Sequence, residues 1–238
     1  MEVFVDYGSQ PSRMVMLFCR VNKLPVKEHI VQISRGQNRT KEQLAVNPLG
    51  KLPYLKHGDF VLPESAAICR YLAATHQVPD HWYPADPRQR ARVDAALDWH
   101  HGNVRAGAAK LTWHRVIAPV LGAGQYSETV AREAENTLKT ALKSLETYWL
   151  ASTPFVAGQQ ISLPDLLMAC ELQQLVLLDG AKQGATMQQL MEPLPAVRAW
   201  MDCVAAAIGP QYAVVHQILG KMRERAVSLK QQQPASKM

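Results

Sequence analysis

The sequence has only four cysteines among its 238 residues, and none of them stands in a CxxC pair or at the spacing of a zinc site. Cys19, Cys69, Cys170 and Cys203 occupy apolar positions of predicted helices. This pattern is typical of unpaired thiols in a reducing compartment. We therefore predict buried, free thiols and no disulfide framework.

Long apolar runs are also missing. No stretch is long enough to cross a bilayer, and the first residues do not have the pattern of a secretory signal peptide. With 47% apolar and 19% charged residues, the composition is ordinary for globular proteins. We expect a soluble protein with one large or two small domains, not bound to membranes and not secreted by the signal-peptide route.

Aromatic residues are scarce, at 7%, while the net charge is +6. Nucleic-acid binding would need aromatics interleaved with the basic residues or a known recognition motif, and the sequence has neither. We expect instead a basic wall for small anionic ligands, or a solvated basic face. The basic residues concentrate in one predicted helix, at Arg88, Arg90, Arg92, Arg105, Lys110 and Arg115.

The eight histidines do not indicate a metal site. His100 and His101 are adjacent, so on a helix their side chains point about 100 degrees apart and are poorly placed to share one ion. We predict no metal.

Residues 7–13 form a turn between a short strand, residues 3–5, and a helix over about residues 12–22, which places Ser9 at a helix N-terminus. Free N–H groups and the helix dipole stabilise an anion at such a position. No His or Asp stands beside Ser9, which disfavours a catalytic triad. Two interpretations remain: a hydroxyl that donates to the thiolate of another molecule, or an ordinary N-cap.

The first 77 residues predict the element order β-α-β-α-β-β-α. The β-branched run 26–33 indicates a second strand, parallel to the first through a βαβ crossover. Thr40 and Gln43 have capping-box spacing and predict a short helix. Residues 52–55 and 60–62 flank a glycine-containing loop and predict an antiparallel hairpin, after which a helix begins at Glu64.

A change in composition at residues 78–86, with two prolines, predicts a linker. Asp86 and Pro87 then predict a helix start, and the remaining chain to residue 229 is helical. The predicted helices span residues 87–121, with bends near Gly102 and Gly107, then 127–150, a helix to about 179 that opens with the Ser162 and Asp165 capping box, 194–208 and 212–229. Residues 230–238 form a flexible tail.

This order of elements resembles the glutathione S-transferases, and several motifs resemble the theta class in particular. The resemblance implies an α+β fold with a thioredoxin-like, glutathione-binding domain at residues 1–77, a linker at 78–86 and an all-α domain at 87–229 that forms the electrophile site. The motifs are Ser9-Gln10-Pro11-Ser12-Arg13, Gly36-Gln37, residues 47–53, Glu64-Ser65-x-Ala67-Ile68, and residues 79–84, 90–94 and 155–160.

By this resemblance, Ser9 occupies the place of the attacking cysteine of thioredoxins, and glutathione supplies the thiol. The main chain of Leu52 pairs with the cysteinyl part of glutathione, and Pro53 follows a cis peptide bond. Glu64 binds the γ-glutamyl ammonium. Asn38 stands where theta enzymes often have histidine, and it brings no charge. The implied glutathione-binding set is Gln10, Asn38, Arg39, Lys51, Leu52, Pro53, Glu64 and Ser65.

The resemblance also implies an electrophile site in the helical half. Arg105 matches a theta-class arginine near the active site and is the candidate for stabilising the leaving group; a solvated basic face is the alternative. Trp113 and the last helix are candidates for its wall, with ordinary core packing as the alternative for Trp113.

The size of the Ser9 effect can be estimated. Lowering the glutathione thiol pKa from about 8.5 to about 6.5 raises the thiolate fraction at neutral pH roughly 25-fold. With a Brønsted slope near 0.4 to 0.5, lower nucleophilicity reduces the net gain to about threefold. The larger share of catalysis is expected from holding the reactants together and stabilising the leaving group.

The resemblance therefore implies a homodimeric transferase that uses glutathione as a co-substrate and no cofactor. Expected electrophiles are alkyl and aralkyl halides and sulfate esters, and organic hydroperoxides are reduced. The alternative is a non-catalytic carrier of apolar ligands with the same fold. A thiol oxidoreductase is excluded, because Ser9 and Ser12 stand where its two cysteines would be.

The last three residues, Ser236-Lys237-Met238, resemble the Ser-Lys-Leu peroxisomal address. They lie on a predicted flexible arm, where an import receptor could bind them. We therefore predict a cytoplasmic protein with a peroxisomal share.

Overall fold

The computed structural model describes residues 1–122 and 126–232. The targeting residues Ser236, Lys237 and Met238 lie outside these ranges, so the peroxisomal address stays a prediction from the sequence. Within the described ranges, no helix combines the length and the hydropathy of a membrane span.

A four-stranded sheet forms from the first half of the chain, in the order β2-β1-β3-β4. The central strand β1 pairs parallel with β2 and antiparallel with β3, which pairs antiparallel with β4, as predicted. Because side chains alternate along a strand, Val3 and Val5 point into the core, where both are fully buried. The strands are β1 (Glu2–Val5), β2 (Lys27–Ile30), β3 (Tyr54–His57) and β4 (Phe60–Pro63).

Three helices accompany this sheet: α1 (Gln10–Val21), α2 (Lys41–Val46) and α3 (Ser65–Thr75). At the start of α2 only half of the predicted capping box forms. The Thr40 hydroxyl accepts the N–H of Gln43 at 3.4 Å, but the Gln43 side chain accepts from the Tyr54 hydroxyl at 2.8 Å. The hydrogen bond with Tyr54 therefore replaces the second bond of the capping box.

The rest of the described chain is helical. Three π-helical turns interrupt or end its helices, at His101–Arg105, Trp113–Ile117 and Leu145–Trp149. The helices are α4 (Pro87–His100), α5 (Ala106–Thr112), α6 (Ala118–Leu121), α7 (Glu128–Ser144), α8 (Leu163–Gln173), α9 (Met187–Met191), α10 (Pro195–Ile208) and α11 (Pro210–Gln232). Short 3-10 segments lie at Ile33–Arg35, Gln37–Arg39, Asp80–Trp82 and Gln174–Gly180.

Local capping chemistry sets two helix starts as predicted. The Asp86 carboxylate accepts the N–H groups of Arg88 and Gln89 at the start of α4. At the start of α8, Ser162 and Asp165 form a capping box. Asp165 also accepts the indole N–H of Trp200 at 2.8 Å, which ties α8 to α10.

Two expectations about side-chain environment are wrong. Cys203 is exposed, whereas the other three cysteines are buried; it lies on an outward-facing position of α10. Arg115 belongs to neither a basic wall nor a solvated face, because its buried guanidinium pairs with Glu128 at 2.9 Å and with Glu135. The basic stretch is therefore divided between surface and core.

The helix α8 is the centre of the molecule. Nearly all of its residues are buried, and it packs against α1 and α3 on one side and against α4 and α10 on the other. One apolar core runs from Val3 and Val5 of the sheet through α1 and α8 to Trp200. This continuous core fixes the Ser9 turn relative to the helical half.

Candidate glutathione and electrophile site

Four segments meet at one end of the sheet. Phe4 of β1 pairs with Tyr54 of β3, and Tyr54 pairs with Pro63 of β4. The turn after β1, the loop before β3 and the start of α3 therefore lie side by side. Since β2 runs parallel to β1, the segment after β2 reaches the same end. This end of the sheet brings together Ser9, Gln10, Asn38, Arg39, Lys51, Leu52, Pro53, Glu64 and Ser65.

The turn that carries Ser9 is organised by Asp6, a residue that the sequence analysis missed. Its two carboxylate oxygens accept the N–H groups of Gly8 and Ile33, each at 2.8 Å. Its carbonyl accepts the N–H of Ser9 at 2.8 Å, and its N–H donates to the Ser12 hydroxyl. An Asp two residues before a Gly is a turn signal that could have been noticed.

Ser9 is the N-cap of α1, with φ −91° and ψ 126°. An N-cap serine ordinarily accepts an N–H of the first turn, but the Ser9 side chain makes no such bond. Ser12, by contrast, is fully buried and bound to Asp6. The helix start therefore leaves the Ser9 hydroxyl unused, beside N–H groups that have no partner within the helix. Gln10, the first helical residue, is buried beside it.

Tyr7 carries a third hydroxyl near this turn, and that hydroxyl binds another side chain. Its oxygen accepts from the Arg20 guanidinium at 2.6 Å. Burial, followed by hydrogen bonding to Glu28, raises the Tyr7 pKa well above its usual range. Ser9 is thus the better placed hydroxyl for a ligand at the start of α1.

Arg13 attaches the turn to the helical half. Its fully buried guanidinium donates to the carbonyl of Tyr7 at 2.8 Å, to the carbonyl of Cys170 at 3.1 Å and to the side chain of Gln174 at 2.6 Å. Burial lowers the pKa of Arg13, and the neighbouring Cys170 and Glu171 oppose that shift. The position of Ser9 therefore depends on a cation that is held by α8.

The loop before β3 is held by two asparagines. The Asn38 side chain donates to the carbonyl of Gly50 at 2.7 Å, and that of Asn47 donates to the carbonyl of Lys51 at 2.8 Å. The next peptide bond, Leu52–Pro53, is cis, as the resemblance implies. The amide nitrogen of Asn38 thus supports the loop, while the side chains of Lys51 and Arg39 are exposed.

Glu64 has an unusual backbone, with φ +70° and ψ 114°. Such a conformation costs a residue other than glycine roughly 1 to 3 kcal/mol and is found mostly at functional sites. It places an exposed carboxylate directly before α3, whose first residue, Ser65, is buried. This backbone conformation makes Glu64 and the start of α3 a candidate ligand site.

Arg105 and Trp113 both lie in π-helical turns of the long helical stretch, and π-turns occur frequently at functional sites. Arg105 is 36% exposed and forms an ion pair with Glu171 of α8, which is fully buried. The Trp113 side chain is 40% exposed. Both residues thus reach the surface from inside the helical half.

Glu171 is ionised in this environment. Burial alone would raise its pKa, but His100 and Arg105 outweigh burial and hold the pKa below its usual range. His100, whose Nε2 lies 3.6 Å from the Glu171 carboxylate, is fully buried, and burial lowers its pKa. The Glu171 carboxylate therefore faces two side chains, His100 and Arg105, that favour its ionised form.

The helix α11 passes over the Ser9 turn. A Cβ atom added to Gly8 would lie 3.8 Å from the Met222 sulfur of α11. The sequence analysis placed the last helix at the electrophile site without singling out Met222. An apolar, polarisable side chain thus lies beside the residue that precedes Ser9.

A metal would need several ligands, and the described residues contain no group of three or more His, Cys, Asp or Glu side chains that could hold one. The polar side chains of the set at this end of the sheet are two hydroxyls, two amides, an ammonium, a guanidinium and one carboxylate. These groups suit a charged organic ligand with both ammonium and carboxylate groups.

Comparison with known families gives two matches that together cover most of the chain. Residues 3–80 match the model "Glutathione S-transferase, N-terminal domain". Residues 93–207 match "Glutathione S-transferase, C-terminal domain".

Among similar proteins, human glutathione S-transferase theta-2 is 40% identical over 227 residues, which cover 95% of this chain and 89% of that protein. Glutathione S-transferase T2 of Arabidopsis thaliana is 37% identical over 240 residues. That match covers all of this chain, which spans only 40% of the length of the Arabidopsis protein.

The fold is also similar to solved structures. Human glutathione transferase theta-2, in complex with glutathione and an unknown ligand, superposes with a TM-score of 0.87 at 39% identity, over 96% of this chain and 90% of that one. The human theta-class enzyme in complex with the glutathione conjugate of 1-menaphthyl sulfate matches equally well, with a TM-score of 0.87. The chain belongs to the theta class of the glutathione S-transferases.

Proposed function

We propose that this protein transfers glutathione to small electrophiles, with the Ser9 hydroxyl donating a hydrogen bond to the glutathione thiolate. The observation that carries this proposal is the Ser9 side chain, which stands at the N-terminus of α1 without the usual capping bond. A hydroxyl that the helix does not use, together with the dipole of a 12-residue helix, stabilises a negatively charged sulfur.

In this proposal, glutathione lies across the end of the sheet where the Ser9 turn, the loop before β3 and the start of α3 meet. The main chain of Leu52 pairs with the cysteinyl unit, and the carboxylate of Glu64 binds the γ-glutamyl ammonium. Ser65 at the start of α3 binds the adjacent carboxylate through its N–H and hydroxyl. The exposed side chains of Lys51 and Arg39 bind the glycyl carboxylate, and the hydrogen bond from Asn38 to the Gly50 carbonyl brings together the two segments that carry them.

In the transfer reaction the thiolate attacks carbon, a sulfur–carbon bond forms, and the leaving group departs with the bonding electron pair. Negative charge therefore moves from sulfur to a halide or a sulfate. Arg105 is the proposed donor to that charge, because it is a cation with a third of its side chain exposed. The human theta-class structure with a conjugate of 1-menaphthyl sulfate supports sulfate esters as one substrate class.

Organic hydroperoxides are a second proposed substrate class. The thiolate attacks the terminal oxygen, a sulfur–oxygen bond forms, and the O–O bond breaks to release an alkoxide that takes up a proton from water. A second glutathione then reduces the resulting sulfenic acid, which gives glutathione disulfide and water. The same two groups, Ser9 at the sulfur and Arg105 at the leaving oxygen, serve both reactions.

Steady-state turnover of an arylmethyl sulfate, a small alkyl halide and cumene hydroperoxide tests this proposal. We expect turnover to fall at least about threefold in Ser9→Ala, with glutathione binding retained in calorimetry. Unchanged turnover in that variant would contradict the role of Ser9, while the fold would stand.

The second candidate is a carrier of apolar ligands. It is favoured by a cavity of about 450 Å³ in the helical half, bounded by α6, the segment after Gly180 and the end of α11. Its lining combines apolar and basic residues, among them Val116, Val120, Leu229, Lys182 and Lys230. Binding of an apolar dye without any turnover, and without glutathione binding, would favour the carrier.

We also propose that two copies of the chain associate through the edge strand β4. Phe60 on that strand is 45% exposed and lies 5.3 Å from the ring of Tyr71 on α3. Burial of this aromatic pair against a second copy would stabilise a dimer. Sedimentation should show a dimer for the wild type and a monomer for Phe60→Glu, and a monomeric wild type would contradict the proposal.

A further inference from the structure

Arg105 is held by a carboxylate that no solvent reaches. Its guanidinium pairs with Glu171, which is 0% exposed, while Arg105 itself keeps 36% of its side chain exposed. A surface arginine normally samples many rotamers, and a charge-assisted hydrogen bond to a fixed acceptor reduces that freedom. The Arg105 guanidinium is therefore bound to the core, while the side chain as a whole stays partly exposed.

The anchor lies on α8, nearly all of whose residues are buried. Glu171 follows Cys170, whose carbonyl accepts from Arg13 at 3.1 Å. Arg13 in turn donates to the carbonyl of Tyr7 at the Ser9 turn. One unbroken series of hydrogen bonds and covalent bonds thus connects the Ser9 turn to Arg105 through a single turn of α8.

We propose that Glu171 is a positioning residue for glutathione transfer, whose buried carboxylate holds the Arg105 guanidinium toward the departing group of the electrophile. This inference rests on the role of Arg105 proposed above. Glu171 itself touches neither glutathione nor electrophile. It fixes the cation at a set distance from the thiolate site, since both are tied to the same turn of α8.

The geometry explains why a glutamate is suited to this position. Neutralising the carboxylate removes the charge that orients Arg105, whereas shortening the side chain by one methylene draws the guanidinium inward. Either change displaces the cation from the point where negative charge develops. Misplacement of a catalytic group by about 1 Å costs up to about 100-fold in rate.

The test compares kcat/KM of Glu171→Gln and Glu171→Asp with the wild type, over arylmethyl electrophiles whose leaving groups differ in basicity. We expect kcat/KM to fall about tenfold, and to fall further as the leaving group becomes more basic. The negative charge that develops on a basic leaving group depends most on stabilisation by Arg105. A defect in folding alone would lower all rates by the same factor. An unchanged dependence on the leaving group in both variants would overturn the proposal.

The matched control is Glu135→Gln. Glu135 also forms an ion pair with a buried arginine of the long helical stretch, Arg115, but the further ion partners of that pair in residues 1–122 and 126–232 are Glu128 and Lys139, not Glu171. We expect this variant to lose stability to urea while its dependence on the leaving group stays that of the wild type. Equal effects at the two glutamates would show that loss of a buried pair, and not positioning, explains the result.

A double-mutant cycle separates this inference from the proposed function. If Glu171 acts through Arg105, adding Glu171→Gln to Arg105→Ala lowers kcat/KM no further. An undiminished effect of Glu171→Gln in that background would overturn the positioning role. If Arg105→Ala alone leaves the leaving-group dependence unchanged, the role of Arg105 fails first, and the role of Glu171 fails with it.

Discussion

The Arg13 guanidinium donates a 2.8 Å hydrogen bond to the carbonyl of Tyr7, two residues before Ser9. The same guanidinium binds α8 through the carbonyl of Cys170 and the following 3-10 segment through the side chain of Gln174. One buried cation therefore sets the position of the Ser9 turn on the helical half.

Replacing Arg13 by Met should lower the free energy of unfolding by about 3 kcal/mol, because two buried acceptors and one partly buried acceptor lose their donor. Arg20→Met is the matched control on the same helix. Arg20 is 31% exposed and pairs with Glu28, so its loss should cost less than about 1 kcal/mol. Urea denaturation of both variants measures the difference, and equal costs would contradict the central place of Arg13.

Gly107 marks a close approach of α5 and α7. A Cβ atom there would lie 2.6 Å from the backbone nitrogen of Leu138. Gly107→Ala should therefore destabilise the protein by about 1 to 3 kcal/mol through overpacking. Gly102 has no atom within 4 Å of such a Cβ, so Gly102→Ala should stabilise by up to about 1 kcal/mol. Thermal unfolding measures both, and shifts of the same sign would contradict the packing.

Glu64 and Lys23 share positive φ angles, +70° and +51°. Glycine accepts such angles without strain, so Glu64→Gly and Lys23→Gly should both retain or raise stability. Only Glu64→Gly should weaken glutathione binding, by about 10- to 100-fold, because it loses a charge-assisted hydrogen bond. Calorimetric titration with glutathione distinguishes the two variants, and unchanged affinity in Glu64→Gly would contradict the proposed ammonium site.

His216 of α11 predicts a dependence of stability on pH. Burial, followed by the charge of Arg13 on α1, lowers its pKa to about 3, although the carbonyl of Tyr212 accepts from its ring. The unfolded chain therefore binds a proton below about pH 6.5 that the folded chain takes up only near pH 3. Stability from this group is complete above about pH 6.5 and is lost as the pH falls.

At about pH 4.5 this loss amounts to about 2 to 3 kcal/mol relative to neutral pH. His216→Gln removes the titrating group, so its free energy of unfolding should fall less steeply between these two pH values. His100, whose pKa is also lowered, keeps its own contribution in both proteins. Parallel pH profiles of the wild type and the variant would contradict a neutral, buried His216.

The sequence predicted elements whose determinants are local. The Asp86 cap with Pro87 and the Ser162 and Asp165 box need only their own turn to form, and both helix starts are confirmed. The helix α9 could have been found by the same signal, because Thr186 and Gln189 also form a capping box. The parallel pairing of β1 with β2 followed from the length of the crossover between them.

Features that depend on contacts between residues far apart in the sequence could not be predicted from local patterns. Arg13 binds the carbonyl of Cys170, which lies 157 residues away, and no local pattern predicts that pairing. The π-turns around Arg105 and Trp113 depend on packing against other helices, so the sequence indicated only bends near glycines. Arg105 was identified by resemblance alone, and its partner Glu171 looked like an ordinary helix residue.

The most direct test of the account is a pH titration of the ultraviolet thiolate absorbance of glutathione bound to the wild type, to Ser9→Ala and to Ser12→Ala. Ser12 is the matched control, because its hydroxyl is bound to Asp6 and buried. We expect a bound thiol pKa of about 6.5 in the wild type and in Ser12→Ala, and a shift toward about 8.5 in Ser9→Ala. The same titration curve in all three proteins would contradict the role of Ser9.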